Sequence, residues 1–385
     1  MKPRIFASLA TYFTMALLMP RPSEQTSWVQ RRGQCGSWGP EYAQLHDDVL
    51  SGRAREKYLV IEGIEGLADS LSLIAGMLYV AVLSGRALQI RENVPYSVAY
   101  DKPNIDWRET SKSSTMTEQH ITLRTGGPLP VDEPAFRLLY NGSIEELGGG
   151  ADIVTMFGNV GVINVLFNNL VYKVQLYKMG LRPETAYGCA LEYLFTPSLS
   201  VKEHFRDEII TMTGSSMKIG IQVRLGDSYL RGGVFEEQKH AEASLLAVQH
   251  FFECAEQLQS AFRQPGQNVV WLLISDSLDI RSLSKTAYGH KLLVKLDEPS
   301  HVAGMTGQEQ NQAMIAAAGE HWLFGLADYH VVSSIGGFGR SAALRAQTWN
   351  TVYKLDVYQT NFLQCDGLNM KPLTWDEIAN TAPFV

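Results

Sequence analysis

The chain is poor in cysteine: four in 385 residues, Cys35, Cys189, Cys254 and Cys365, with no CxxC pair and no histidine at metal-ligand spacing. That pattern excludes a thiolate zinc site. In an oxidising lumen one or two disulfides are expected, with the pairing left open by the sequence. Basic charge is also short, with 33 Lys and Arg against 40 Asp and Glu and a net charge of −7. This is the wrong field for a general nucleic-acid binder, so no nucleic-acid partner is expected and any anionic ligand must be met by a local site. There is no GxGxxG, no P-loop lysine, no internal repeat and no low-complexity tract, which disfavours a dinucleotide fold or a kinase-like P-loop. Nor is there a closely spaced acidic pair to hold a divalent ion. The nearest is Asp276 and Asp279, and Asp279 is expected to face solvent at a helix start, where a carboxylate complements the dipole. No metal is expected.

Long apolar runs are scarce too. Ile5–Met19 is uncharged and follows Lys2 and Arg4, but a membrane-spanning helix needs about 20 such residues. A basic start and an apolar run fit entry to the secretory pathway. No small-x-small cleavage pattern closes the run, which favours a membrane anchor at residues 5–19 over a cleaved signal. Arg21, Arg31 and Arg32 follow it, so flanking charge leaves the orientation open. Asn141-Gly142-Ser143 is the single glycosylation sequon.

What is present is an ordinary globular composition, 45% hydrophobic and 19% charged, in a chain long enough for two domains. Residues 1–57 read as signal or anchor and stem, with order beginning at 57–58. Residues 58–213 read as an N-terminal α/β domain and 214–385 as a C-terminal one. A strand at 58–62, a turn at 63–67, an apolar helix at 68–84 closed by Gly85, and a strand at 87–90 make a βαβ unit with parallel strands. Asp69, Ser70 and Ser72 at its start mark the helix as a core helix and not a second membrane span. Residues 100–150 are turn-rich, with "TGGPLP" and "ELGGGAD" as breaks, and 151–213 read as largely helical. In the C-terminal part, strands at 219–223, 269–275, 291–296, 329–333 and 351–355 alternate with helices at 240–263, 277–285, 308–326 and 339–347, the pattern of a doubly wound parallel sheet. Ligands of such sheets lie beyond the carboxyl ends of the strands. That rule selects 224–227, 275–277, 297–301, 333–339 and Asp356.

Two of these strand ends carry chemistry. "KIGIQVRLGDSYLRGG" (218–233) runs from an apolar strand into Arg224, Gly226, Asp227 and Arg231. A planar guanidinium at that place suits a diphosphate, and the alternative is a surface pair with Asp227. "VVSSIGGFGRSAALRA" (331–346) runs from a strand through a glycine turn into a helix. Its backbone N–H groups form an anion cradle, with Ser333 and Ser334 as hydroxyl donors. The alternative is a tight turn whose glycines serve backbone geometry. His240, His250, His321 and Trp322 read as packing residues.

Three blocks resemble the plant-type xyloglucan α-1,2-fucosyltransferases within the wider fucosyltransferase superfamily: "KYLVIEGIEGLADSLSLIAGMLYVAVLSGRALQI" (57–90), "IGIQVRLGD" (219–227) and "EHWLFGLADYHVVSSIGGFGRSAALRAQTWNTVYKLD" (320–356). Upstream, Cys35, Tyr42, Leu45-His46 and Val49-Leu50 also fit the family's pattern, and Gln222 stands where other fucosyltransferases have histidine. The resemblance implies an α/β protein with two Rossmann-like domains facing a cleft, a GT-B-type glycosyltransferase. The implied reaction is inverting and metal-independent, from GDP-fucose to a glycan hydroxyl, with galactose as acceptor sugar and a Golgi membrane (single-pass type II) or lumenal location. No cofactor beyond the donor is implied.

Residue by residue, Arg224 would neutralise the β-phosphate. Gln222, Gly226, Ser275 and Asp276 would line the donor from one side, and Ser333, Ser334, Gly336, Gly337, Phe338 and Gly339 from the other. Asp276 would meet guanine or ribose, with an N-cap of the following helix as the alternative. Glu62, Gly66 and Asp69 would lie on the acceptor side. Asp227 is the first choice of general base, with Asp69 and Glu62 behind it.

Two departures from the family pattern stand out. Gly66-Leu67-Ala68-Asp69-Ser70 replaces a Gly-Leu-Gly-Asn-Arg turn, and Gly336-Gly337 replaces Ser-Thr before Phe338-Gly339. Other readings are a non-catalytic nucleotide-sugar or glycan-binding protein, a protein O-fucosyltransferase, and a structural α/β protein in which Arg224 only pairs with Asp227.

Overall fold

The computed structural model describes residues 35–63, 66–123, 133–230, 245–348, 350–357, 365, 372–375 and 377. The expected anchor at 5–19, the "TGGPLP" break, Arg231, His240 and the first residues of the helix expected from 240 lie outside the described residues.

Order begins earlier than the sequence reading expected. Helix α1 (Gly39–Leu50) occupies what was read as stem, starting at a proline in its first turn. Tyr42, His46 and Val49 fall on one face and are buried. Tyr42 fixes the helix to the sheet: its hydroxyl donates to Arg86 O (3.0 Å) and accepts from Leu88 N (3.0 Å). Cys35 is bonded to Cys189, and Cys254 to Cys365.

The N-terminal sheet contains β1 (Tyr58–Gly63), β2 (Ala87–Ile90), β3 (Glu118–Leu123) and β4 (Ile153–Gly158) in the order β2-β1-β4-β3, all parallel. Helix α2 (Leu67–Ser84) joins β1 to β2 and ends at Gly85, whose φ of 63° is the left-handed turn that glycine adopts without a Cβ clash. It is apolar and long enough to cross a membrane, yet 83% of it is buried inside the molecule, which makes it a core helix. Strand β4 corrects the reading of 151–213 as helical. Its sequence, IVTMFG, lies in a parallel-sheet strand buried on both faces, where the period-2 signal vanishes. Helix α3 (Pro183–Leu194) carries Cys189 and packs on α2.

The C-terminal sheet follows as β5 (Met217–Val223), α4 (Leu245–Phe262), β6 (Val269–Ser275), α5 (Leu278–Tyr288), β7 (Leu292–Leu293), α6 (Gly307–Phe324), β8 (Tyr329–Ser333), α7 (Phe338–Leu344) and β9 (Val352–Leu355). Its five strands are parallel in the order β9-β8-β5-β6-β7. Strand β7 is shorter than the expected 291–296. Strand alternation explains the two covered faces. Ile219, Ile221 and Val223 point into a cluster with Phe251 and Phe252 of α4. Leu272, Ile274 and Val332 instead join a core shared with Phe324, Ala342 and the N-terminal helices. Gly220 lies on that second face, where a Cβ would come within 2.6 Å of the Phe324 ring.

The chain builds β5, β6 and β7 outward in one direction, then returns to place β8 and β9 on the other side of β5. The strand order therefore reverses between β5 and β8, and a crevice opens at their carboxyl ends.

Candidate functional site

A cavity of about 1200 Å³ lies at that crevice. One wall comes from the start of α2 (Gly66–Asp69) with Ser200 and His204. The other comes from the ends of β5, β6 and β8, the 297–305 segment and one face of α6.

The β5 and β8 ends are tied together by a buried amide. Gln222 Oε1 accepts from Ser333 N (3.1 Å) and from the Ser333 hydroxyl (3.0 Å), and Ser333 Oγ accepts from Arg224 N (3.2 Å). The glycine turn closes over this knot. Gly336 has φ 75°, and a Cβ there would lie 3.4 Å from Arg224 Cδ and Nε. At Gly339 a Cβ would lie 2.5 Å from Gln222 Oε1. The glycines thus bring the β8–α7 turn against the arginine, and the turn and the cation share one wall.

Asp276 fixes the other side of Arg224. Its buried carboxylate accepts from Leu225 N (2.9 Å) and Gly226 N (2.8 Å), with Arg224 Nη1 at 3.9 Å. Burial raises its pKa, against the pull of Arg224 and the two N–H groups. The N-cap alternative for Asp276 is corrected: Ser277 Oγ accepts from Ile280 N and caps α5. Gly226 takes φ 136°, which only glycine holds at low cost. Arg224 Nη2 pairs with Asp227 Oδ1, and both side chains keep partial exposure to the cavity.

Of the residues singled out from the sequence, Gln222, Arg224, Gly226, Asp227, Ser275, Asp276, Gly336, Gly337 and Phe338 line the cavity, joined across it by Gly66 and Asp69. Ser333 and Gly339 stand behind this wall and hold Gln222. Ser334 is not in the lining, and its N–H donates to Leu355 O (2.7 Å). Glu62 is also outside the lining, paired with Arg91 at 2.9 Å.

Several lining residues carry no mark in the sequence. His301 reaches over from the C-terminal half: a Cβ on Gly66 would lie 3.9 Å from both Asp69 Oδ2 and His301 Nε2. The strand-end rule points to 297–301 as a segment but singles out no residue in it. Arg281 pairs with Glu320 through two contacts (2.5 and 3.1 Å) and also donates to Ser275 O. Burial raises the Glu320 pKa despite Arg281. These two residues sit on separate helices, and nothing in the local sequence pairs them. Lys295 with Glu208 (3.5 Å) and His204 with Asp297 (2.9 Å) complete the polar rim. Among the described residues, no group of three or more His, Cys, Asp or Glu is placed to hold a metal ion.

No family model and no curated protein matches the chain. Solved structures do. A mutant of Arabidopsis thaliana FUT1 in complex with GDP superposes with a TM-score of 0.57 at 16% identity, over 86% of this chain and 77% of that one. The NodZ α-1,6-fucosyltransferase of Bradyrhizobium, soaked with GDP-fucose, gives 0.45 at 14% identity, over 75% and 92%. POFUT1 in complex with GDP gives 0.38 at 11%, over 78% and 98%. The fold is the mixed α/β, parallel-sheet GT-B architecture of the FUT1 structure, with a five-stranded C-terminal parallel sheet, as the sequence reading expected.

Proposed function

We propose that the chain is a glycosyltransferase that moves fucose from GDP-fucose to a glycan hydroxyl, with galactose as the preferred acceptor sugar. The observation that carries this is Arg224 at the strand-order reversal, facing the cavity and backed by the glycine turn of 336–339. A GDP leaving group gains negative charge as the glycosidic bond breaks, and a fixed guanidinium aimed there lowers the barrier. Ser333 holds the Arg224 backbone and Asp227 its side chain, so little reorganisation accompanies the reaction. The FUT1 chain of like fold is bound to GDP, which supports GDP as the nucleotide. Fucose is supported by the resemblance of the three sequence blocks.

The acceptor proton needs a base on the far side of the sugar from the leaving group. Asp227 is committed to Arg224 and serves as its holder. Asp69, on the opposite wall with His301 across Gly66, is the better-placed base, acting directly or through the imidazole. The replaced turn at Ala68–Ser70 favours a second reading, a protein that binds a nucleotide sugar without turning it over.

A thermal-shift screen with GDP, UDP and CMP sugars tests the donor, and a GDP-release assay with galactosylated acceptor tests transfer. Selective response to GDP sugars with transfer is expected. Response without transfer supports the binding reading, fucose on a folded protein domain redirects the acceptor, and no response to any nucleotide overturns the proposal.

A further inference from the structure

Outside the cavity, the described structure exposes apolar side chains in one tight group. Leu170 is 85% exposed, Val171 60%, Val174 57% and Tyr177 37%, in or just before the short helix Lys173–Lys178, and none of them lines the cavity. Apolar residues scattered singly on a surface need no explanation, but a contiguous group marks something that covers it. Leu176 alone of that helix is buried. The segment is therefore built to present its apolar side chains outward.

The neighbouring element supplies the cover. Asn141-Gly142-Ser143 is the single Asn-x-Ser sequence of the chain. It closes the helix Pro134–Asn141, in which Phe136 and Leu139 are buried and Asn141 is exposed. Hydrogen bonds lace it to the apolar group. The Asn169 side-chain amide donates to Gly142 O (3.1 Å), and its Oδ1 accepts from Val171 N (2.9 Å). The Tyr172 hydroxyl accepts from Ile144 N (2.7 Å) and meets Ser143 Oγ at 3.4 Å. Asn141 thus stands one residue from the bonds that hold Leu170 and Val171 in place, and the first units of any chain added to its amide fall within reach of them.

The addition that this sequence accepts is a sugar, bulky and borne on the surface. The Asn141 amide nitrogen would bond to the anomeric carbon of an oligosaccharide, give up one proton, and displace the lipid pyrophosphate that carried the sugar. That transfer belongs to an oxidising lumen, where disulfides also form. No cysteine of the described chain is free: Cys35 is bonded to Cys189 and Cys254 to Cys365. A pyranose has an apolar C–H face and a rim of hydroxyls. The C–H face suits Leu170, Val171 and the Tyr177 ring, and the exposed Lys173, Gln175 and Lys178 offer donors to the hydroxyls. Self-pairing is disfavoured, because it would set Lys173, Lys178 and Arg182 of one copy against the same cations of the other.

We propose that Asn141 carries an N-linked glycan whose first sugars lie over Leu170, Val171, Val174 and Tyr177, so that the exposed apolar group is covered by the molecule's own carbohydrate. The test expresses the full chain in the secretory pathway of a eukaryotic cell. Glycopeptide mass spectrometry reads occupancy at Asn141. Hydroxyl-radical footprinting reads side-chain exposure before and after enzymatic removal of the glycan from the folded protein. A glycan on Asn141 is expected, with radical modification of the four apolar side chains rising several-fold on its removal and that of Leu283, exposed on α5, unchanged. Asn141→Gln, at an exposed position, is expected to abolish the glycan and to show the same higher modification. Three results would overturn the proposal: an unmodified Asn141 in the purified protein, a glycan whose removal leaves the four side chains as they were, or low modification in Asn141→Gln at high protein concentration only, which would identify a second copy of the chain as the occupant.

Discussion

Arg91 and Arg224 are each the first residue after a parallel strand, β2 in one sheet and β5 in the other. Arg91 makes three contacts at 2.9 Å to two carboxylates, Glu62 and Glu109. Those contacts hold its charge state firmly, raising its pKa and lowering that of Glu109, and it stays out of the cavity. Arg224 has Asp227 at its side and Asp276 at 3.9 Å, and it opens onto the cavity. Two equivalent positions therefore differ in use because of what surrounds them. Chemistry across the cleft is correspondingly unequal. The lining from the Arg224 half includes Arg224, Arg281 and Lys295, whereas among the described residues that from the Arg91 half holds no Lys or Arg. A diphosphate suits the first wall and an uncharged hydroxyl-bearing acceptor the second.

The strongest challenge to this contrast is to remove each arginine in turn. Arg224→Ala is expected to weaken GDP binding on the order of 100-fold, the loss of charge-assisted hydrogen bonds worth about 2–3 kcal/mol. Arg91→Ala should leave GDP affinity unchanged and cost about 1 kcal/mol of stability. Calorimetric titration and denaturant unfolding read both, and equal GDP losses in the two variants would erase the distinction.

Asp276 offers a second test. Asp276→Ala strands the N–H groups of Leu225 and Gly226 and should cost about 2 kcal/mol in unfolding experiments. Asp276→Asn keeps an acceptor and isolates the charge. The folded pKa of Asp276 lies above its unfolded value, so its contribution is most favourable below the unfolded pKa and is lost as pH rises through the folded one. The asparagine variant should therefore gain on the parent protein as pH rises above the ordinary carboxylate pKa of about 4. A gap that shrinks with rising pH would mean that Arg224 and the N–H groups outweigh burial.

The smallest effect separates the two glycine turns. Gly339→Ala would push on Gln222 and is expected to weaken GDP binding a few-fold, by about 1 kcal/mol. Gly66→Ala meets Asp69 and His301 only at 3.9 Å and should spare GDP binding while slowing acceptor-dependent GDP release. Steady-state kinetics with varied donor and acceptor would distinguish the two turns, and a donor effect from Gly66→Ala would contradict the assignment of sides.

Much of the C-terminal sheet was legible because its strands alternate or end in turn residues: Ile219–Val223 leads into Arg224, and Tyr329–Ser333 into glycines. β4 was not legible, since a strand buried on both faces loses the alternation that marks strands. The edge strand β3 hid for the opposite reason, its EQHITL sequence being mostly polar and exposed. Helix α1 carried its stripe of Tyr42, His46 and Val49, but the surrounding Pro, Gly, Ser and Arg gave the segment the look of a stem. In the site, residue types at strand ends could be read, whereas partners could not. Asp276 meets N–H groups 50 and 51 positions away, and His301 approaches Gly66 only because the two sheets face each other.

The Cys35–Cys189 bond has a mechanical consequence. Tension arriving along the leading segment is transmitted at Cys35 into α3, in the middle of the N-terminal core, while α1 and β1 are bypassed. Under such a pull the first elements of the chain do not peel away in sequence, and the wall of the cleft formed by the start of α2 bears no load until the α3 packing itself gives way.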